Sequence, residues 1–138
     1  GSFYTYNQGI ILSALVEYYK IINENFLIEL AHEIANATIS NLVYEDGVLR
    51  DLKEPDLNGD ASQFKGIFMR NLAYLHSFDP KENYKDFILL NADSIWNLAR
   101  NKETNEIGVV WNSFSKRADA SCQSSALDAF NAALIVTN

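Results

Sequence analysis

An alternation of short and long connections between helical stretches limits the fold of this chain more than any other feature. Five stretches repeat apolar residues at helical spacing. The first runs from about Tyr4 to Ile22, with Ile10, Ile11, Ala14, Leu15, Tyr18 and Ile22 on one broad face. Asn23-Glu24-Asn25 separates it from a second, which reaches about Val43 and carries Leu27, Leu30, Ala31, Ile34, Ala35, Thr38 and Leu42. The third begins near Ala61 (Phe64, Ile67, Phe68, Leu72, Leu75). Asp79-Pro80 marks the start of the fourth, since proline is tolerated in a first helical turn. It covers about Lys81 to Arg100, presenting Tyr84, Phe87, Ile88, Asn91, Ile95, Leu98 and Ala99, and the fifth covers about Ala120 to Val136, with Ala126, Leu127, Phe130, Ala133 and Leu134.

The second and fourth stretches follow short turns. The third and fifth follow long polar connections, 46–60 and 101–117, each with a short extended-looking run, Gly47-Val48-Leu49 and Gly108-Val109-Val110-Trp111. Gly47, Pro55 and Gly59 stop any helix in the first of these. Helical hairpins recurring every ~50–60 residues imply a solenoid or toroid. The expected fold is all-α: antiparallel hairpins forming about half of an (α/α) toroid. The first, third and fifth helices are then inner, and the long loops gather on one rim, where function collects. Half a toroid leaves an apolar flank exposed, which calls for a second copy or further chain to cover it.

Composition narrows the function. A net charge of −7 and a pI near 4.7, with no basic stripe, repel nucleic acid and anionic membranes but suit a neutral polysaccharide. No apolar run reaches the ~18–20 residues that a membrane span needs. Cys122 is the single cysteine, which excludes a disulfide framework and a multi-cysteine zinc site. Gly1-Ser2 reads as a protease-cleavage scar, so the absence of a signal peptide says nothing about export.

Three stretches carry more than helix. They are Thr5-Tyr6-Asn7-Gln8-Gly9, the run Asp60-Ala61-Ser62-Gln63-Phe64-Lys65-Gly66-Ile67-Phe68-Met69-Arg70, and Gln123-Ser124-Ser125-Ala126-Leu127. At a helix start, Asn7 and Gln8 present amides suited to sugar hydroxyls, and Tyr6 presents a face for a pyranose ring. Gly9 permits close approach of backbone or ligand. The plain alternative is that Asn7 caps the helix and Tyr6 packs in the core. Asp60 is a natural N-cap with Gln63 at the capping-box position. Lys65 and Arg70 lie among large apolar residues, so at least one must be held by a carboxylate or reach a cleft.

In order and in loop placement, these stretches resemble glycoside hydrolase family 76 along nearly the whole chain, with Tyr6-Asn7-Gln8-Gly9 and the Phe64–Arg70 stretch the specific part. The resemblance implies an (α/α)6 barrel, of which residues 3–138 are a C-terminal portion, and a cleft for α-1,6-linked mannan. It further implies retaining hydrolysis by two carboxylates, which in that family are adjacent aspartates in a segment before the Tyr6-Asn7-Gln8-Gly9 equivalent. This chain has no Asp-Asp pair, so it is expected to supply cleft wall and no catalytic residue. The expected sugar contacts are Tyr6, Asn7, Gln8, Asp60, Lys65 and Trp111. An extracellular or cell-surface location also follows from the resemblance, and no cofactor is implied.

Other residues have plainer readings. Trp111 either stacks on a sugar or lids the core, and Trp96 fits an outer-helix packing position. Ser124 and Ser125 read as capping residues. His32 and His76 lack a second ligand at metal spacing. Asp56 to Asp60 departs from the calcium-loop pattern. Cys122 reads as a buried, inert thiol. Two other functions fit the same pattern: a non-catalytic carbohydrate-binding or self-associating helical module, and a different toroid enzyme, epimerase-like, which would need histidines on the inner rim.

Overall fold

The computed structural model describes residues 3–57, 59–115 and 117–138; Gly1, Ser2, Asn58 and Lys116 lie outside it, and with them the reading of Gly1-Ser2 and the middle of the calcium-like segment. Five α-helices form: α1 (Thr5–Ile22), α2 (Phe26–Asn41), α3 (Phe64–Phe78), α4 (Glu82–Ser94) and α5 (Ala120–Thr137). No strand forms among the described residues, and none of their helices is long and apolar enough to cross a membrane.

Local chemistry sets the boundaries. Asn23 takes the left-handed conformation (φ 56°) and its N–H donates to Tyr19 O, which ends α1. Asp79 is extended ahead of Pro80 and ends α3, so the proline sits in the link rather than in the first turn of α4. α4 runs on into a π-helical turn, Ile95–Ala99. The extended-looking runs are too short to make strands. Each loop holds one isolated antiparallel bridge, Val43 to Leu49 and Arg100 to Ile107. Gly47 (φ 82°) and Asn105 (φ 63°) supply the left-handed residues that turn those two hairpins.

α1, α3 and α5 run parallel. Ser13 Oγ donates to Asn71 Oδ1 at 2.6 Å, and the rings of Tyr19 and Phe78 meet edge to face further along the same pair. Likewise the Gly66 amide meets Ser125, and Arg70 pairs with Asp128. Partner residues thus stand 58 or 59 positions apart along both interfaces. The loop bridges repeat at nearly the same interval. α2 and α4 back this row as the second, antiparallel layer, so the described residues form two helical hairpins plus the next inner helix.

α3 is the centre of the core. Its Phe68, Met69, Leu72, Ala73 and Leu75 have no exposed surface, and each large one stabilises the fold by roughly 1.5–3 kcal/mol. Backbones approach closely there. A Cβ on Gly9 would lie 2.6 Å from Phe68 Cα, and one on Gly66 would lie 2.7 Å from Ser125 Cα.

The expected inward face of α1 is corrected. Thr5, Gly9, Leu12, Leu15 and Val16 are buried, whereas Ile10, Ile11, Tyr18 and Ile22 are exposed. α1 is apolar around most of its circumference, so periodicity cannot say which side turns inward. α5 behaves likewise: Ala126, Ala129 and Ala132 face inward, and Leu127, Leu134 and Ile135 stay outside. Trp96 does not pack in the interior. It is half exposed, edge-on to Phe130, with the Arg100 guanidinium 3.9 Å above its ring.

Candidate functional site

Because α1, α3 and α5 are parallel, their N-terminal ends share one rim, and both long loops lie on it. α1 begins without a local cap: Tyr4 is extended and its side chain makes no capping bond. A distant carboxylate does that work. Asp51, from the loop after α2, accepts the Thr5 N–H at 2.9 Å and the Thr5 hydroxyl at 2.8 Å. A negative group is favoured at this position by the helix dipole as well as by the free N–H groups. Burial pushes the Asp51 carboxyl above its ordinary range, and the two Thr5 bonds oppose that shift.

α3 is preceded by a 3₁₀ turn, Gly59–Gln63, which displaces the expected cap. Asp60 lies exposed in that turn, Gln63 occupies the boundary, and no side chain caps α3 there. Instead the Gly66 N–H, an unpartnered amide of the first turn, donates to the buried Ser125 hydroxyl of α5 at 2.9 Å. Ser125 therefore bonds a neighbouring helix rather than capping its own. α5 is capped by Asp119, whose carboxylate accepts from the Ser121 and Cys122 amides. The Ser121 hydroxyl, which also donates to this carboxylate, together with the Cys122 amide and Arg117, holds the Asp119 carboxyl well below the usual range.

Between the starts of α1 and α3 lies a groove of about 370 Å³ lined by Tyr4, Tyr6, Lys53, Asp56, Leu57, Ala61 and Phe64. Its aromatic side is a step of three rings. Tyr6 and Phe64 are 4.2 Å apart between centroids, and Tyr4 meets Phe64 edge-on at 5.5 Å. Lys53 and Asp56 add an ammonium donor and a carboxylate acceptor to that apolar floor. An apolar wall with a few convergent polar groups is the usual make-up of a small-ligand site. The rings offer faces for the C–H side of a pyranose, and the polar pair offers partners for its hydroxyls.

The six expected contact residues separate into four groups. Tyr6 lines the groove. Asn7 is exposed in the first turn of α1 and Asp60 in the turn before α3, both on the same rim but outside the groove lining. Gln8 lies elsewhere. It faces a different, largely apolar cavity of about 430 Å³ with Phe3, Asn41 and Leu52, because two residues along a helix is more than half a turn around it.

Lys65 and Trp111 are drawn into the interior, which corrects the expectation that they touch sugar. Both are 1% exposed, and covering chain can only bury them further. Lys65 Nζ sits 2.6 Å from Glu54 Oε1, donates to Val109 O at 2.8 Å and lies 4.5 Å from the centre of the Trp111 ring. Glu54 Oε2 accepts from Tyr44 Oη at 2.9 Å, and Oε1 also accepts from the Asp51 amide at 3.1 Å. Burial pushes the Lys65 ammonium below the ordinary lysine range, against the pull of Glu54. The same burial, next to the Glu54 charge, raises the Tyr44 phenol well above its usual value. The sequence requirement that a lysine here find a carboxylate is met, but inside the protein.

Tyr4, Lys53, Asp56, Asp51, Glu54 and Tyr44 were not singled out from sequence as groove or network residues. Five of them come from the loop side of the rim, where no periodicity marks which side chain turns inward. The one available signal was the buried lysine's need for a counter-charge, and the connection ahead of it offers Asp46, Asp51, Glu54, Asp56 and Asp60 with nothing in the sequence to choose among them.

Comparison with known proteins bears on the fold and the family. The family model described as glycosyl hydrolase family 76 matches residues 2–138. Among solved structures, the Lin0763 protein from Listeria innocua is 25% identical, with a TM-score of 0.86 over 97% of this chain and 38% of that one. The α-1,6-mannanase GH76A of Salegentibacter sp. HEL1_6 is 23% identical, with a TM-score of 0.85 over 96% of this chain and 40% of that one. An inactive variant of the same mannanase, with two aspartates replaced and α-1,6-mannotriose bound, gives 22% identity and a TM-score of 0.86. No curated protein sequence matches. The chain spans about two-fifths of the length of these structures, and its hairpins follow the helical toroid of which they are part. This chain belongs to glycosyl hydrolase family 76.

Proposed function

We propose that this chain forms part of the sugar-binding wall of a glycoside hydrolase acting on α-1,6-linked mannan at or outside the cell surface, with the catalytic aspartates on chain beyond it. The observation that carries this reading is the aromatic step of Tyr4, Tyr6 and Phe64 beside Lys53 and Asp56, on the rim where the inner helices begin. Membership of the family and the mannotriose bound by a structural relative support the sugar class. In this role the rings exclude water from one face of a mannose unit, while the ammonium and carboxylate fix its hydroxyls. The wall orients the chain of sugars, and the chemistry belongs to the carboxylate pair, which the sequence here lacks.

Titration of this chain with α-1,6-mannotriose, followed by amide chemical shifts, tests the reading. The expected result is weak binding that perturbs Tyr6, Lys53 and Phe64, with no hydrolysis of α-1,6-mannan. Tyr6→Ala is expected to weaken binding by up to about tenfold, since contacts on one aromatic ring contribute roughly 0.5–1.5 kcal/mol. Hydrolysis by the chain alone, or binding indifferent to Tyr6→Ala, would overturn it.

A self-associating helical module is the second reading, favoured by one observation. Ile10, Tyr18 and Ile21 on α1 and Leu127, Leu134 and Ile135 on α5 expose apolar flanks at both ends of the helix row. A concentration-dependent mass in light scattering, abolished by Ile21→Lys, is what that reading requires.

A further inference from the structure

The groove is built from three separate segments: the start of α1, the 51–57 loop, and the start of α3. The rings of Tyr6 and Phe64 join the two helix starts within the lining, but the 51–57 loop needs another tie. The tie lies beneath, in the buried charges. Asp51 holds the first amide of α1 through Thr5, and thereby the segment bearing Tyr4 and Tyr6. Glu54 holds the loop through the Asp51 amide and the Tyr44 hydroxyl, with Lys53 and Asp56 to either side of it. Lys65, the residue after Phe64, holds Glu54 to α3, and through Val109 O and the Trp111 ring it reaches the second long loop.

We infer that Glu54 and Lys65 are positioning residues for the groove, setting the loop so that Lys53 and Asp56 face the Tyr4, Tyr6 and Phe64 step. This rests on the groove reading above and extends it to residues that touch no sugar. The physical reason for a charged pair here is directional. An apolar pair of the same volume generally gives equal or greater stability, because taking two charges out of water is costly. What an apolar pair lacks is direction. Glu54 accepts three hydrogen bonds whose geometry fixes the loop in one place: Lys65 Nζ and the Asp51 amide on one oxygen, the Tyr44 hydroxyl on the other. No buried side-chain polar atom among the described residues is left without a partner, so the network is complete and has one satisfied arrangement.

Two uncharged variants separate positioning from bulk stability. E54M/K65M fills the space without hydrogen bonds to the loop, and E54Q/K65M keeps an amide that accepts from the Asp51 N–H and donates to Tyr44 Oη. Melting temperature and α-1,6-mannotriose affinity are measured for both, alongside Tyr6→Ala. The expected result is that E54M/K65M melts below the parent, because the Asp51 amide, the Tyr44 hydroxyl and Val109 O lose their partners, and E54Q/K65M less so; with affinity measured well below either melt, E54M/K65M loses about tenfold and E54Q/K65M stays within about twofold. Equal affinity in the two variants, whether both high or both low, would overturn the positioning role. If E54M/K65M does not fold, Tyr44→Phe interrogates the same carboxylate with one atom removed. A threefold loss then supports the inference and an unchanged affinity refutes it. Tyr6→Ala keeps the two ideas apart. If it has no effect, the groove reading fails and the inference falls with it; if it weakens binding while E54M/K65M does not, only the positioning role is lost.

Discussion

Replacing Gly9 with alanine sets two physical effects against each other, and the structure says which one prevails. Gly9 lies within α1, where alanine is favoured over glycine by about 1 kcal/mol on helix propensity. On that ground Gly9→Ala should stabilise. Its new Cβ, however, would stand 2.6 Å from Phe68 Cα and 3.1 Å from both Ile67 O and Phe68 N. All three are backbone atoms of α3, so no rotamer change relieves the contact. α1 and α3 must separate by about 1 Å along an interface that also contains Leu12 and Val16 on one side and Leu72 on the other. Overpacking of this kind costs about 1–3 kcal/mol, and contact with rigid backbone places it at the upper end. Subtracting the propensity gain leaves a net loss of about 2 kcal/mol, or a fall in Tm of about 6–10 °C for a domain of this size. Paired thermal and urea unfolding of parent and variant would measure it. A Tm equal to or above that of the parent would refute the close approach of α1 and α3 and the parallel row built on it.

Three further outcomes follow from single contacts. Gly66→Ala is expected to destabilise by a similar amount through the other interface, since its Cβ would meet Ser125 Cα and Ser125 O at 2.7 Å; unfolding measurements decide it. Asp119→Ala removes the cap of α5 and should cost about 1 kcal/mol at neutral pH. Because the folded Asp119 pKa is depressed, its contribution is complete above the unfolded value near 4 and fades as pH falls below it, so the difference between parent and variant should shrink in acid titrations of stability. Asn91→Ala strips the Leu49 amide of its 2.8 Å acceptor beneath the first loop hairpin, which should cost about 1–3 kcal/mol and speed hydrogen exchange at Leu49.

Much of the architecture could be read before any coordinates. Turn chemistry at Asn23, the breakers Gly47, Pro55 and Gly59, and the short-long rhythm of the connections were enough to mark five helices in two and a half hairpins. Local signals of this kind act within a few residues and survive in the linear order. The face of α4 and the turn that continues it was legible in large part: Tyr84, Phe87, Ile88, Asn91, Ile95 and Ala99 are buried, while Leu98 of the expected stripe stays half exposed. The faces of α1 and α5 were not, because apolar residues surround most of each helix and neighbours on several sides compete for them.

The site was legible only as a neighbourhood. The three stretches picked out at the helix starts do share a rim, since parallel helices necessarily bring like ends together. Which side chains line the rim and which turn inward was decided by contacts 10 to 46 residues apart: Asp51 reaching Thr5, Glu54 and Tyr44 gathered by a loop, and Val109 and Trp111 folded over Lys65. A lysine in an apolar run announces that it needs a counter-charge, but not whether it finds one inside the protein or at a cleft. That choice depends on the desolvation of both partners, which exists only once the loop has closed over them. Helix positions and their common polarity therefore belong to the linear chain. The groove, and the burial of the charges that hold it open, belong to the packing of segments distant in sequence.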